Sequence, residues 1–194
     1  MDLKSIDPVE FLCPENDLEK MLILEEDFNK GLFWGEPRYG HPEGKVIFHI
    51  REVYSNINKL KISAELRSKL RIIALVHDTF KYKEAEALHK DGKRDWSKHH
   101  SILAAQFLSK FIDDQEILKI VKYHDEAYYS WRTHALDENI EESQTRLSRL
   151  QENIGDDIQL FYLFFKCDTR TGDKIQTPVR WFERRVPNIK VVDF

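Results

Sequence analysis

The sequence is poor in the features that mark disulfide-bonded, secreted or membrane-spanning proteins. Its two cysteines, Cys13 and Cys167, lie far apart and form no CxxC pair, which argues against a disulfide framework and against a cysteine-rich zinc site. No apolar run approaches the roughly 20 residues that a membrane-spanning helix needs. The polar start, Met1–Lys4, is unlike a signal peptide. Together these absences predict a cytoplasmic protein that does not enter a membrane.

A strong net charge is also missing. The 194 residues carry a formal net charge of −4 with histidine neutral, so the chain as a whole has no general attraction for nucleic acid or anionic lipid. Apolar residues make up 41% and charged residues 33% of the composition, which is typical of a globular protein. This length favours one domain over residues 1–194, and the composition leaves the oligomeric state open.

Glycine and proline are scarce and unevenly placed. Seven glycines and six prolines occur, and several of them cluster in residues 35–44, which predicts a loop. The stretches between such breaks are rich in leucine, isoleucine, lysine and glutamate, and no strand pattern appears. We therefore predict an all-α helical bundle, with helices over 17–30, 46–60, 64–77, 98–111, 114–124, 138–151, 156–172 and 178–186. Residues 87–96 are predicted to form a mobile excursion and residues 127–137 an irregular aromatic segment.

Histidine and aspartate side chains recur on the apolar faces of five predicted helices. With about 100° of rotation per residue, each of these helices aims one such side chain inward. These residues are His49, His77, His100, His124 and Asp168. Asp78 directly follows His77, whereas His99 points about 100° away from His100, toward the rim. A single inward histidine is usually a hydrogen-bonded core residue. Six such groups in one core would be too costly to bury without a metal ion, which pairs carboxylates and takes imidazole lone pairs.

The order of these residues, H…HD…H…H…D, resembles the six-ligand form of the HD superfamily. Residues 74–81 read ALVHDTFK and resemble the family's LLHDIGK, and residues 100–105 read HSILAA and resemble HxxxGA. Residues 165–170 read FKCDTR and resemble LxKxADxxxG. Residues 40–49, GHPEGKVIFH, resemble the start of the HD domain in bacterial tRNA nucleotidyltransferases. The resemblance spans about residues 40–173.

This resemblance implies an all-α HD-domain bundle that binds two divalent transition-metal ions. The implied ligands are, for the first ion, His49, His77, Asp78 and Asp168 and, for the second ion, His100, His124 and the bridging Asp78. Imidazole and carboxylate ligands suit Mn, Fe, Co, Zn or Ni. Asp78 would help to activate a water for attack on phosphorus, and Lys81 is the candidate to contact a substrate phosphate or the leaving group.

Two departures from the family pattern stand out. Phe80 occupies the place where the commoner motif has glycine, and residues 123–126 read YHDE where an HHE motif would mark the cyclic-dinucleotide GYP subgroup. The second departure argues against that subgroup. The candidate substrate-binding residues near the motifs are Lys122, Arg132 and Arg170. Tyr128, Tyr129 and Trp131 either stack on a base or close the core, and core packing is the favoured interpretation.

The leading hypothesis for function is a metal-dependent phosphohydrolase acting on a nucleotide or another small phosphorylated metabolite. An alternative is an HD-fold di-iron oxygenase acting on a polyol or a phosphonate, because this chain also resembles such proteins in its six-ligand pattern. A non-catalytic nucleotide-binding module is another. The motifs describe the metal site, whereas substrate specificity is expected in the loops 31–44, 82–97 and 126–137, so the sequence does not name the substrate.

Overall fold

Helices make up the secondary structure of the chain. The computed structural model describes residues 6–92 and 95–194, and within these ranges the only β-structure is an isolated antiparallel bridge between Arg38 and His41. The helices are α1 (Pro8–Leu12), α2 (Asp17–Leu24), α3 (Glu26–Leu32), α4 (Val46–Ile57), α5 (Ala64–Val76), α6 (Lys81–Asp91), α7 (His100–Leu108), α8 (Gln115–Tyr123), α9 (Glu126–Ala135), α10 (Ile140–Ile154), α11 (Ile158–Thr169) and α12 (Thr177–Arg185). The predicted all-α architecture is confirmed.

Helix α5 is the centre of the bundle. It begins at Ser63, whose hydroxyl accepts a hydrogen bond from the backbone N–H of Leu66 at 3.2 Å, as a helix-capping serine does. Every residue from Leu70 to Val76 is buried, as the apolar run in this part of the sequence predicts. Helices α4, α8 and α11 pack directly against α5. The side chains at the carboxyl end of α5 are therefore enclosed by other helices.

The carboxyl end of α5 turns sharply instead of continuing through Lys81. The backbone hydrogen bonds here span three residues instead of four. The N–H of Thr79 donates to the carbonyl of Val76, and the N–H of Lys81 donates to the carbonyl of Asp78. The hydroxyl of Thr79 also donates to the carbonyl of Leu75 at 2.9 Å. Lys81 therefore does not continue the helix that ends before His77, because α6 starts afresh at Lys81.

A glycine lets α3 approach this turn. A Cβ atom added at Gly31 would collide with the main-chain carbonyl of Thr79, so only glycine permits the contact. The single helix predicted over residues 17–30 is in fact two helices, because the backbone becomes extended at Glu25 with ψ of 129°. This break redirects the chain so that α3 reaches the turn after His77 and Asp78.

Two segments predicted to be irregular contain helix. Helix α6 extends to Asp91 and covers part of the expected excursion over 87–96, of which residues 93 and 94 lie outside the described residues. Helix α9 covers most of 127–137, because Ala127, Ser130 and Trp131 form a buried stripe at helical spacing. The packing of α9 against α10 and α12 favours a helix that the aromatic composition did not indicate. No described helix is both long enough and apolar enough to cross a membrane.

A buried ion pair fixes α2 against α5. Glu19 is fully buried, and its carboxylate accepts hydrogen bonds from Arg71 Nε at 3.0 Å and from Arg71 Nη2 at 2.7 Å. The guanidinium also lies over the ring of Tyr54, 3.8 Å from its centroid. Because Arg71 stands on α5 less than two turns before His77, this pair holds the helix that presents the histidine.

We expect Glu19→Gln to lower the free energy of unfolding by about 3 kcal/mol, because it leaves the Arg71 charge buried without its partner. The exposed Glu15, 3.4 Å from Arg71 Nη1, compensates only in part. Lys30→Gln is the control, since the Lys30 and Glu86 side chains are 61% and 63% exposed and such pairs contribute less than about 1 kcal/mol. Denaturant titration followed by circular dichroism measures both, and equal losses would contradict the assignment.

Candidate metal centre

The six histidine and aspartate residues selected from the sequence lie together at one end of the central helix. His49 projects from the first turn of α4, and His77 and His124 directly follow the last residues of α5 and α8. His100 opens α7, and Asp168 lies in the last turn of α11. The four histidine side chains are almost fully buried, whereas the Asp168 side chain keeps 21% of its surface exposed.

The first group of polar atoms combines His49, His77 and Asp168 with one oxygen of Asp78. His49 Nε2 lies 3.3 Å from His77 Nε2 and 2.8 Å from Asp168 Oδ1. Asp78 Oδ2 lies 3.5 Å from His77 Nε2 and 3.9 Å from His49 Nε2. Side chains from two helices, α4 and α11, and from the turn after α5 therefore share one small space.

The second group combines His100 and His124 with the other oxygen of Asp78. The two Nε2 atoms are 3.3 Å apart, and they lie 3.4 Å and 3.5 Å from Asp78 Oδ1. The two oxygens of Asp78 thus face different pairs of imidazoles. This is the arrangement that a carboxylate bridging two metal ions would need.

The spacings within both groups match those of metal ligands. Atoms bound about 2.1 Å from one ion lie about 3.0 Å apart at right angles and about 3.4 Å apart at tetrahedral angles. The distances within the two groups run from 2.8 Å to 3.9 Å. The buried histidine and aspartate clusters therefore fit a metal site in their geometry.

Hydrogen bonds on the far side of the rings determine which imidazole nitrogen faces the site. His77 Nδ1 and His124 Nδ1 donate to main-chain carbonyls three residues earlier, at 2.9 Å and 2.8 Å. His100 Nδ1 lies 2.6 Å from Glu84 Oε2. The carbonyl partners assign tautomers in which Nε2 of His77 and Nε2 of His124 present a lone pair to the centre, and Glu84 orients the ring of His100. Lone pairs and carboxylates that face one another repel each other, whereas a cation placed between them is attracted to all of them.

The electrostatics of the centre favour added positive charge. Burial acts to raise the pKa of Asp78, but His77 and Lys81 hold it well below its usual range. Burial acts to lower the pKa of His100, but hydrogen bonds to Asp125 and Asp78 raise it to about 10. The carboxylates therefore favour positive charge at this place. A proton on His100 supplies such a charge, and a divalent ion would supply it as well.

Two lysines approach the carboxylates from the solvent side. Lys81 Nζ lies 2.5 Å from Asp78 Oδ2, and Lys174 Nζ lies 3.1 Å from Asp168 Oδ1. Their side chains are 21% and 18% exposed, so both remain accessible to a ligand. Lys174 was not singled out from the sequence, because it lies in the loop after α11, where no helical periodicity indicates its direction.

Asp125 was also missed. Its Oδ2 lies 3.2 Å from His100 Nε2 and 3.5 Å from His124 Nε2, so it borders the second group directly. It follows His124 in sequence but precedes the first residue of α9, where a projection onto a helical face does not apply. The only signal was its adjacency to a candidate ligand.

Glu43 supports the first group from behind. Its Oε1 lies 3.4 Å from His49 Nδ1 and 2.9 Å from His41 Nδ1. The carboxylate therefore sits at the nitrogen of His49 that faces away from the centre, where partners commonly orient a metal-bound imidazole. Glu84 holds the corresponding place behind His100 in the second group.

The helical projection placed His99 toward the rim of the site, but the structure buries it. Its side chain is only 6% exposed, and its ring centroid is 4.4 Å from that of His100. His99 caps α7 and its Nδ1 bonds the hydroxyl of Ser101 at 2.8 Å, so it precedes the regular helix to which the projection applied. Burial, followed by the charge of His100, lowers the pKa of His99 to about 4.

The three basic residues proposed as substrate contacts lie apart from one another. The ammonium of Lys122 lies 4.9 Å from the ring centroid of Tyr123. Arg132 is exposed on α9. Arg170 contacts the carbonyl oxygen and the ring of Phe194. The structure does not bring Lys122, Arg132 and Arg170 together at the centre, and their role in substrate binding stays a prediction.

A cleft of about 440 Å³ leads from the surface to the centre. Carboxylates of the centre form its floor, and its cationic lining residues are Arg38, Lys81 and Lys174. Its outer part includes the exposed Tyr39, Tyr128, Leu136 and Ile175, and the buried Trp131 and Pro178 also line the cleft. The volume lies within the range of small-molecule binding sites. The cleft therefore combines charged residues with aromatic and apolar side chains.

A family model described as the HD domain matches residues 46–153, which is more than half of the chain. The chain belongs to the HD-domain family. This family consists mostly of metal-dependent phosphohydrolases, so membership indicates a hydrolase that binds divalent metal. Comparison with curated proteins and with solved structures gives no significant match.

The match contains the candidate ligands from His49 to His124, whereas Asp168 lies beyond its end. The resemblance inferred from the sequence is confirmed at the level of the family. The closer likeness to tRNA nucleotidyltransferases and the boundaries of the domain stay predictions.

We expect Glu84→Ala to weaken the binding of one divalent ion by about 10- to 100-fold, because His100 loses the carboxylate that orients its ring. Glu86→Ala is the matched control, since Glu86 lies on the same helix and pairs with the exposed Lys30. Calorimetric titration with Mn²⁺ compares the two variants. Equal affinities would contradict the role given to Glu84.

Proposed function

We propose that this protein is a phosphohydrolase that cleaves a phosphate ester of a nucleotide or another small phosphorylated metabolite. The observation that carries the proposal is the position of Asp78, whose two oxygens face two pairs of imidazoles at the floor of a cleft with cationic walls. Such a site suits displacement at phosphorus, where negative charge must be stabilised at both the attacking and the leaving oxygen. Membership of the HD-domain family supports the same class of reaction.

The proposed cofactor is a pair of divalent transition-metal ions. The proposed ligands are His49, His77, Asp78 and Asp168 for one ion, and His100, His124 and Asp78 for the other. Ions held there would supply Lewis acidity toward phosphoryl oxygens and would lower the pKa of a bound water. The ligand set suits Mn, Fe, Co, Zn or Ni.

The lysines of the cleft are proposed to bind the phosphate. Lys81 and Lys174 carry ammonium groups beside Asp78 and Asp168, so a phosphate at the floor of the cleft would lie between them. Charge-assisted hydrogen bonds from both would hold its oxygens and orient the ester bond. Burial acts to lower the pKa of Lys81, but Asp78 raises it, and the side chain stays charged at neutral pH.

The outer part of the cleft favours a substrate with an aromatic or apolar body. Tyr128 keeps 40% of its surface exposed and lines the cleft together with the largely buried Trp131. A nucleoside fits this division, because its phosphate would meet the lysines while its base would stack on exposed rings. Core packing accounts for Trp131 in part, whereas Tyr128 is available to a ligand.

The test is a phosphate-release assay on Mn²⁺-loaded protein across nucleoside monophosphates, cyclic nucleotides and sugar phosphates. We expect release from at least one ester, and its loss in Asp78→Asn, because that change removes the charge facing both imidazole pairs. Oxygen consumption by iron-loaded protein, without phosphate release from any ester, would instead support the oxygenase hypothesis. Full activity of Asp78→Asn would refute the proposed site.

We expect Lys174→Gln to raise the KM for the hydrolysed ester by about 10- to 100-fold, which is the value of a charge-assisted hydrogen bond of about 1.5–3 kcal/mol. Lys110→Gln changes an exposed lysine outside the cleft and serves as the matched control. Steady-state kinetics measures both variants. An unchanged KM in Lys174→Gln would remove this residue from the phosphate site.

A further inference from the structure

We infer that Asp125 is a metal ligand, and that it completes the second subsite so that the two subsites carry matching ligands. The inference rests on the proposed two-metal site. With Asp125 included, each subsite has two imidazoles, one carboxylate of its own and one oxygen of Asp78. Asp125 would then be the carboxylate ligand that accompanies His100 and His124, as Asp168 accompanies His49 and His77.

The distances around Asp125 support this role. Its Oδ2 lies 3.2 Å from His100 Nε2 and 3.5 Å from His124 Nε2, close to the 3.0–3.4 Å expected for ligand atoms on one ion. The oxygen faces the same two nitrogens that Asp78 Oδ1 approaches at 3.4 Å and 3.5 Å. Two carboxylate oxygens therefore approach the same pair of imidazole nitrogens, as two carboxylate ligands of one ion would need to do.

The backbone at Asp125 leaves its side chain free to face the centre. Asp125 directly precedes α9 and has helical backbone angles, φ −81° and ψ −16°, whereas a capping aspartate has an extended backbone. Its side chain makes no capping bond to α9 and lies against the imidazoles instead. The inference therefore rests on the contacts of this carboxylate with His100 and His124.

The charges around the two terminal carboxylates differ. Asp168 has a fixed cation in Lys174, at 3.1 Å. Among the ion pairs of residues 6–92 and 95–194, the partners of Asp125 are imidazoles alone: His99, His100 and His124. No lysine or arginine among these residues contacts Asp125 directly, so a bound ion would be its nearest fixed positive charge.

The experiment compares Mn²⁺ binding to the full-length protein and to Asp125→Asn, by calorimetric titration and by metal analysis after dialysis. We expect two ions per chain in the parent protein, and at least a ten-fold weaker affinity for one of them in Asp125→Asn. Asp168→Asn should weaken one ion as well, and the double variant should weaken both. Glu126→Gln, next in sequence and paired with Arg146, is the control and should bind as the parent does.

A second readout separates ligation from a general loss of structure. Two Mn²⁺ ions bridged by Asp78 are magnetically coupled, so the electron paramagnetic resonance spectrum should change from a coupled pair to an isolated ion in Asp125→Asn. Asp125→Glu keeps the carboxylate and should restore part of the affinity. Circular dichroism of the metal-free variants should match that of the parent.

Binding of both ions to Asp125→Asn with parental affinity and a coupled spectrum would overturn the inference and leave the proposed function intact. Conversely, a parent protein that binds two ions but releases phosphate from no ester would refute the proposed function, while the binding data would still decide the role of Asp125. A parent protein that binds no divalent ion would overturn both.

Discussion

Several groups with lone pairs and negative charge face one another inside a helical core, and the remaining features of the centre follow from this constraint. Carboxylates buried without counter-charge are costly, and unprotonated imidazole nitrogens that face each other add repulsion. Three features of the fold support these facing groups. Carbonyls and Glu84 hold the outward nitrogens of three histidines, lysines stand beside two of the carboxylates, and helices enclose the whole. The fold thus positions the candidate ligand atoms without the help of an ion.

Much of this arrangement is predictable from the sequence where helices are regular. His49 and Asp168 lie within helices, so a step of 100° per residue places them correctly on inward faces. The N-caps at Ser63 and Asp114 also carry a local sequence signal, because a short polar side chain stands before an apolar periodic run. The family resemblance added the order of the residues, and the match over residues 46–153 agrees with it.

The rest depends on places where periodicity ends. Asp125 and His99 stand at helix caps, and Lys174 stands in a loop, so no helical projection predicts their direction. Glu84 reaches His100 across a turn whose path only the folded chain defines. Helix α9 was misjudged for a related reason, since its buried stripe is short and its exposed aromatic side chains resemble those of a loop.

The two halves of the centre differ in how far apart their parts lie along the chain. The second group draws on residues between Asp78 and Asp125, whereas the first joins His49 to Asp168, which lie more than a hundred residues apart. An ion in the first group would act as a cross-link across most of the polypeptide, and such closure over a long loop restricts the unfolded chain most. During synthesis, the residues of the second group would therefore be present well before those of α11. The first group would be complete only once α11 has packed against α4 and α5, so an ion bound by all four of its candidate residues would require that packing.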